Sequence, residues 1–166
     1  FSENWDAGIN AVKTEKFVFL HNDMYLHRDF FDQLEREMEC LGPEYFYLYT
    51  TIEPLKCAGF VRPGKVVAPF GEDFSDFRVE EFNNFASSYM VAHQNDKVNG
   101  YGFYLAGYLD SLQKVGGFDY HTFDPLFCED DDLTLRIRLT GYYIRVVSGA
   151  LVYHFGSKTI RDETDR

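Results

Sequence analysis

His21-Asn22-Asp23, Glu129-Asp130-Asp131-Asp132 and His154 are the residues whose types and spacing suit chemistry in this chain. Asp23 offers a hard carboxylate for a divalent cation, and His21 and Asn22 offer hydrogen bonds to a sugar or a phosphate. The same triplet can equally be a polar turn that ends a strand, and its residues alone leave both readings open. Four adjacent acids repel one another, which raises the proton affinity of some of them. A carboxylate held at a rigid helix start is then placed to take a proton from a hydroxyl. Capping and dipole pairing explain acids at a helix start too, but one or two would serve. His154 follows the apolar run Ala150-Leu151-Val152-Tyr153, where a histidine is either a ligand or a hydrogen-bonded structural residue. No EF-hand loop, Walker-type phosphate loop or nucleophile elbow occurs in the sequence.

The elements that must position these groups are legible as alternating strands and helices. Residues 16–20, Lys-Phe-Val-Phe-Leu, form a short continuous apolar run that predicts a buried strand ending at His21. In open α/β sheets, ligands collect beyond such strand ends. Ser2 or Asn4 caps a predicted helix to about residue 13, and 29–40 places Phe30, Phe31, Leu34 and Met38 on one helical face. Residues 44–52 and 65–68 read as strands, with Pro54, Gly59, Pro63 and Gly64 punctuating the irregular connection between them. A helix is predicted over 77–92, an extended segment over 100–107 and a helix over 109–115. The clearest helix is 129–140, with its acids at the start and Arg136 and Arg138 ahead of Gly141. Two strands, 142–147 and 150–153, close the pattern, and the polar tail 158–166 is expected to fray. The result is a layered α/β domain, single over 1–166.

Composition narrows the function. Sixteen basic and twenty-seven acidic residues give a formal charge of −11, which disfavours nucleic acid and anionic membranes as partners. An anionic ligand then needs a cation or a local pocket to offset the field. No apolar run approaches the roughly 20 residues of a transmembrane segment. Three widely spaced cysteines, Cys40, Cys57 and Cys128, give neither a disulfide framework nor a zinc site; free thiols and a cytoplasmic location are the expectation. Aromatic residues at 18% imply a well-filled core, a stacking surface, or both.

The order of these groups resembles the GT-A glycosyltransferases of the family 2 type. Trp5-Asp6-Ala7-Gly8-Ile9 resembles their Asn-x-Gly element, with Asp6 in place of the Asn. Residues 17–23, Phe-Val-Phe-Leu-His-Asn-Asp, resemble the strand and metal-binding triplet, with His21 standing where Asp is usual, as in a His-x-Asp subset. Gly116-Gly117-Phe118-Asp119 is similar to the family's turn, and Glu129-Asp130-Asp131-Asp132-Leu133-Thr134-Leu135-Arg136 to its Glu-Asp-x-Asp-Leu-x-x-Arg helix, followed by Gly141-Tyr142. Val152-Tyr153-His154-Phe155-Gly156 resembles the closing His segment. Five matches in order cover nearly the whole chain.

The resemblance implies a Rossmann-like GT-A domain with a mixed central sheet, N-terminally incomplete because the family's first strand–helix–strand precedes the matched region. It implies inverting transfer of a sugar from a nucleotide-diphosphate sugar to a hydroxyl on a glycan or other acceptor. Asp23 and His154 would hold Mn²⁺ or Mg²⁺, and imidazole favours manganese. Asp6, His21, Asn22 and Asp23 would contact the donor, and the backbone at Ala106-Gly107 would admit the donor sugar. Asp130 matches the general base, with Glu129 positioning acceptor or donor sugar. Phe82, Phe85, Tyr89 and Tyr101 are candidates to stack on an acceptor sugar, or core residues. A non-catalytic carbohydrate-binding or assembly module and a metal-dependent phosphate or nucleotide hydrolase are the alternatives.

Overall fold

The structure, a computed structural model, describes residues 2–59, 61–123 and 128–156. The expected frayed tail lies outside them. The chain runs α1 (Ser2–Ala11), β1 (Lys16–Val18), β2 (Met24–Leu26), α2 (Phe30–Leu41), β3 (Tyr45–Glu53), a 3-10 turn (Leu55–Cys57), β4 (Lys65–Val67), α3 (Val79–His93), β5 (Val98–Asn99), β6 (Leu105–Tyr108), α4 (Leu109–Lys114), α5 (Tyr120–Phe123), α6 (Glu129–Leu139) and β7 (Tyr143–His154). The strands make one open, mixed sheet in the order β1-β6-β3-β7-β2. β4 pairs with β3 and β5 pairs with β7. This is the expected α/β layering with a mixed central sheet.

β3 is buried from Phe46 to Glu53, as a central strand covered on both faces must be. Its period-two alternation splits the core. Phe46 and Leu48 pack with Leu112, Leu133, Ile137, Ile144 and Val146 under α4 and α6. Tyr47 and Tyr49 face the opposite way, toward Phe30, Leu34 and Met38 of α2. Ile52, Leu151 and Tyr153 form a third cluster with Phe82 and Ala86 of α3.

β6 is antiparallel to both β1 and β3, and β7 is parallel to β3. β1, β3 and β7 therefore point the same way, and their carboxyl ends reach one edge of the sheet.

Several expectations are corrected. The two strands predicted over 142–153 are one strand, because pairing with β3 resumes after an offset: Tyr49 faces Val147 and Thr50 faces Leu151. Ser148-Gly149-Ala150 are the extra residues. Gly149 lies against α2, where a Cβ would come within 2.8 Å of Gln33 Oε1. β1 ends at Val18, although Phe19 N–H still bonds to the Leu105 carbonyl at 2.9 Å. The extended run predicted over 100–107 is a strand only from Leu105, and β2, β5 and α5 are too short to show a period. Gly107, the expected donor-sugar contact, sits in β6, where a Cβ would meet the Phe17 and Phe46 rings at 3.2 Å. Of the aromatics read as sugar platforms or core, Phe82 is core, fully buried among Tyr25, Phe77 and Tyr153.

Buried phenols knit the layers. Tyr47 donates to the Gly42 carbonyl at 2.7 Å, Tyr49 to Phe19 at 2.6 Å and Tyr153 to Gly71 at 2.6 Å. Burial raises the phenol pKa of Tyr47, Tyr49 and Tyr104 and pushes Tyr153 up to about 12. An unfolded tyrosine ionises near 10, so this stability is complete below about pH 10 and is lost as pH rises beyond it. An ultraviolet titration followed together with circular dichroism checks this. These four of the twelve tyrosines should ionise only as the fold opens; ionisation of all twelve near pH 10 with native dichroism would contradict it.

Candidate metal and active site

The carboxyl ends of β1, β3 and β7 bring together residues far apart in sequence. His21 and Asp23 occupy the turn between β1 and β2, and His154 ends β7. Pairing of Met24 with His154 and the bond from Phe155 N–H to the Asp23 carbonyl (3.1 Å) fix the turn against β7. Asp23 Oδ1 lies 3.4 Å from His154 Nε2 and 4.0 Å from His21 Nδ1. The two imidazole rings meet edge to face at 5.4 Å.

One ligand atom from each of His21, Asp23 and His154 lies within 4.8 Å of the others. Bonds of about 2.0–2.2 Å place a divalent ion's ligands roughly 3–4 Å apart, so the three residues fit such an ion with an inward shift of less than about 1 Å. Two imidazoles and one carboxylate suit a first-row transition ion better than Mg²⁺. His21, expected among donor contacts, thus stands with Asp23 and His154 as a candidate metal ligand. Burial, and then the neighbouring His154 charge, lower its pKa to about 4, which keeps its imidazole neutral as a ligand must be. Burial opposes the charge on Asp23, but the adjacent His154 imidazole outweighs it, and the carboxyl falls below its usual range.

A second set of residues stands behind His154. Glu53, 5% exposed at the end of β3, approaches His154 Nδ1 at 3.4 Å. Its carboxylate is paired with Arg62 and Lys65, each at 3.1 Å. Burial works against ionisation of Glu53, yet the His154 hydrogen bond and the Arg62 charge hold its pKa down to about 2. Tyr104 Oη lies 3.2 Å from the same His154 nitrogen, and the Arg62 guanidinium covers the Tyr104 ring at 4.1 Å. None of Glu53, Arg62, Lys65 and Tyr104 was singled out in the sequence. The available signal was one acid closing an otherwise uncharged strand, with two cations just beyond the turn.

The acids at the start of α6 divide their work. Asp132 takes two hydrogen bonds from Arg136, at 2.8 and 2.6 Å, and Arg136 also donates to the Val115 and Gly117 carbonyls. That fork docks the Gly-Gly-Phe-Asp turn on α6, with Phe118 buried against Phe19 and Phe103. Asp119 of the same turn accepts from Thr122 N–H and Oγ1. Asp131 is exposed. Asp130 is half-buried and accepts from the Asp131 N–H at 3.0 Å; burial, then the Asp131 charge, raise its pKa. Glu129 is buried, and its Oε2 has no hydrogen-bond partner among the described residues.

α6 is tied to the His/Asp group through 100–104. Gly102 N–H bonds to Thr134 Oγ1 at 3.2 Å and Arg138 to the Gly100 carbonyl at 2.7 Å, while the Phe103 ring lies 4.8 Å from that of His21. The Arg62 charge acts on both His21 and Asp130. Asn22 is exposed in the turn between β1 and β2. Asp6 lies on α1, and its side chain is outside the described residues.

No protein-family model matches this chain, and no curated protein matches it. No helix among the described residues is long and apolar enough to cross a membrane.

If His21, Asp23 and His154 form one site, D23N and H154A should each weaken Mn²⁺ binding at least 10-fold with the fold intact. Calorimetric titration and circular dichroism together test this, and unchanged affinity in both variants would remove the site.

Proposed function

We propose that this chain is a GT-A-type glycosyltransferase domain of the family 2 kind, transferring a sugar from a nucleotide-diphosphate sugar to an acceptor hydroxyl with inversion. The observation that carries the reading is the meeting of His21 and Asp23 with His154 at one sheet edge.

Asp23, His154 and His21 are the residues that would hold Mn²⁺ or Mg²⁺. A divalent ion there supplies positive charge against the departing diphosphate, which a chain of charge −11 otherwise repels. Asp130 is the general base. The acceptor oxygen bonds to the anomeric carbon as the bond to the diphosphate oxygen breaks, and the acceptor proton passes to the Asp130 carboxylate. A carboxylate is a weak base toward a resting alcohol, so the proton moves as the new bond forms and the hydroxyl turns acidic. The raised pKa of Asp130 improves that match. Glu129 orients a sugar hydroxyl, a role suited to a buried acceptor atom with no described partner. Asn22 and Asp6 complete the donor contacts in this reading.

The test is transfer by the full-length gene product, using a panel of UDP-, GDP- and dTDP-sugars with Mn²⁺. Asp130→Asn should lower turnover by about 10²–10⁴-fold while leaving Mn²⁺ affinity unchanged. An unaltered rate in D130N assigns the base elsewhere. Release of free sugar without acceptor dependence points to a hydrolase. No binding of any donor defeats the transferase reading.

A further inference from the structure

We propose that Glu53 is a positioning residue of this site: its carboxylate selects the Nδ1–H tautomer of His154 and so turns the Nε2 lone pair toward Asp23. The inference rests on the metal-binding reading above and adds to it a residue that none of the sequence motifs marks.

A neutral imidazole carries one N–H, and its other nitrogen is the ligand atom. His154 is held from both sides, with Asp23 Oδ1 3.4 Å from Nε2 and Glu53 Oε1 3.4 Å from Nδ1. Only a proton on Nδ1 leaves Nε2 able to ligate beside Asp23. An ionised carboxylate accepts and cannot donate, so Glu53 demands that proton. Tyr104 Oη, 3.2 Å from Nδ1, has a lone pair for the same N–H, giving it two acceptors in a buried place. Asp23 competes for a proton on Nε2, but its carboxylate is 22% exposed, so water also satisfies it.

Glu53 itself is held on every side. Thr51 Oγ1 donates to it at 3.2 Å and in turn accepts from Arg62 Nη2 at 2.6 Å. Arg62 and Lys65 pair with its two oxygens, and Lys65 also donates to the Cys57 carbonyl. The parallel pairing of β4 with β3 sets Lys65 opposite Thr51 and Val67 opposite Glu53. Three buried charges contribute little net stability, since apolar residues of similar volume serve packing as well. An oriented acceptor facing a ligand histidine is what such a cluster uniquely supplies. Carboxylate–histidine pairs behind metal ions act in this way.

The test uses the full-length protein with Glu53→Gln, which keeps the shape and removes the charge. Mn²⁺ affinity measured by calorimetry should fall about 10–100-fold; an unchanged affinity overturns the proposal. Because Glu53→Gln removes the carboxylate that Arg62 and Lys65 both approach and can unfold the chain, a measurement on the unaltered protein stands beside it. Against burial, Asp23 and Glu53 raise the His154 pKa. Long-range ¹H–¹⁵N correlation of metal-free protein is therefore followed upward in pH until the ring has lost one proton, and should then find the remaining proton on Nδ1. A proton on Nε2 overturns the proposal whatever the variant does. Tyr104→Phe should keep the proton on Nδ1; a swing to Nε2 gives the role to the phenol instead. If the unaltered protein shows Nδ1–H but binds no Mn²⁺, Glu53 keeps its hold on His154 and the metal-binding reading is what fails.

Discussion

Parallel pairing of β3 with β7 is the constraint on which the site depends. Two parallel neighbours cannot be joined by a tight turn, so the chain closes a long loop before their contacts form. That entropic cost is offset by near-total burial along both strands, from Phe46 to Ile52 and from Ile144 to Phe155. Matched residues of parallel strands share a face and an end. Glu53 and His154 are neighbours for that reason, and β2 then lays the Asp23 turn along the other edge of β7. Nothing local in either segment would bring an acid and a histidine together.

Charge at this edge is gathered in a buried cluster. The chain as a whole carries −11, and around His154 the acids Glu53 and Asp23 stand with the cations Arg62 and Lys65. Water is scarce here, so these charges are weakly screened and act on several groups at once. Arg62 is the common element: it touches Thr51 and Glu53, covers Tyr104, and its field reaches His21 and Asp130.

Sequence reading recovered those parts whose signal is local. α6 was legible because acids, basic residues and a closing glycine mark its two ends, and β3 because eight of its nine residues are uncharged. The grouping of His21, Asp23 and His154 is legible only through the order of motifs, which marks His21 as a donor contact and Asp23 and His154 as the ligands. β2 was invisible because three residues show no period; it exists because β7 offers an edge. Glu53, Arg62, Lys65 and Tyr104 were missed for a related reason. Their partnership is a product of strand register, and the sequence around Glu53 reads only as a strand end before Pro54. The four acids of α6 looked alike in sequence and differ in space, since burial separates Glu129 and Asp130 from exposed Asp131, and Arg136 claims Asp132.

The insert Ser148-Gly149-Ala150 does more than interrupt a ladder. Val147 and Ala150 both face α2 although they stand an odd number of positions apart, so the two halves of β7 are out of phase by one residue. The insert acts as a phase shifter, carrying His154 onto the Glu53 side and handing Tyr153 and Phe155 to the α3 side. Losing or gaining a single residue there would exchange these sets, driving an aromatic ring into the ion cluster and the imidazole into an oily pocket. A change of two residues in this insert would leave the phase intact.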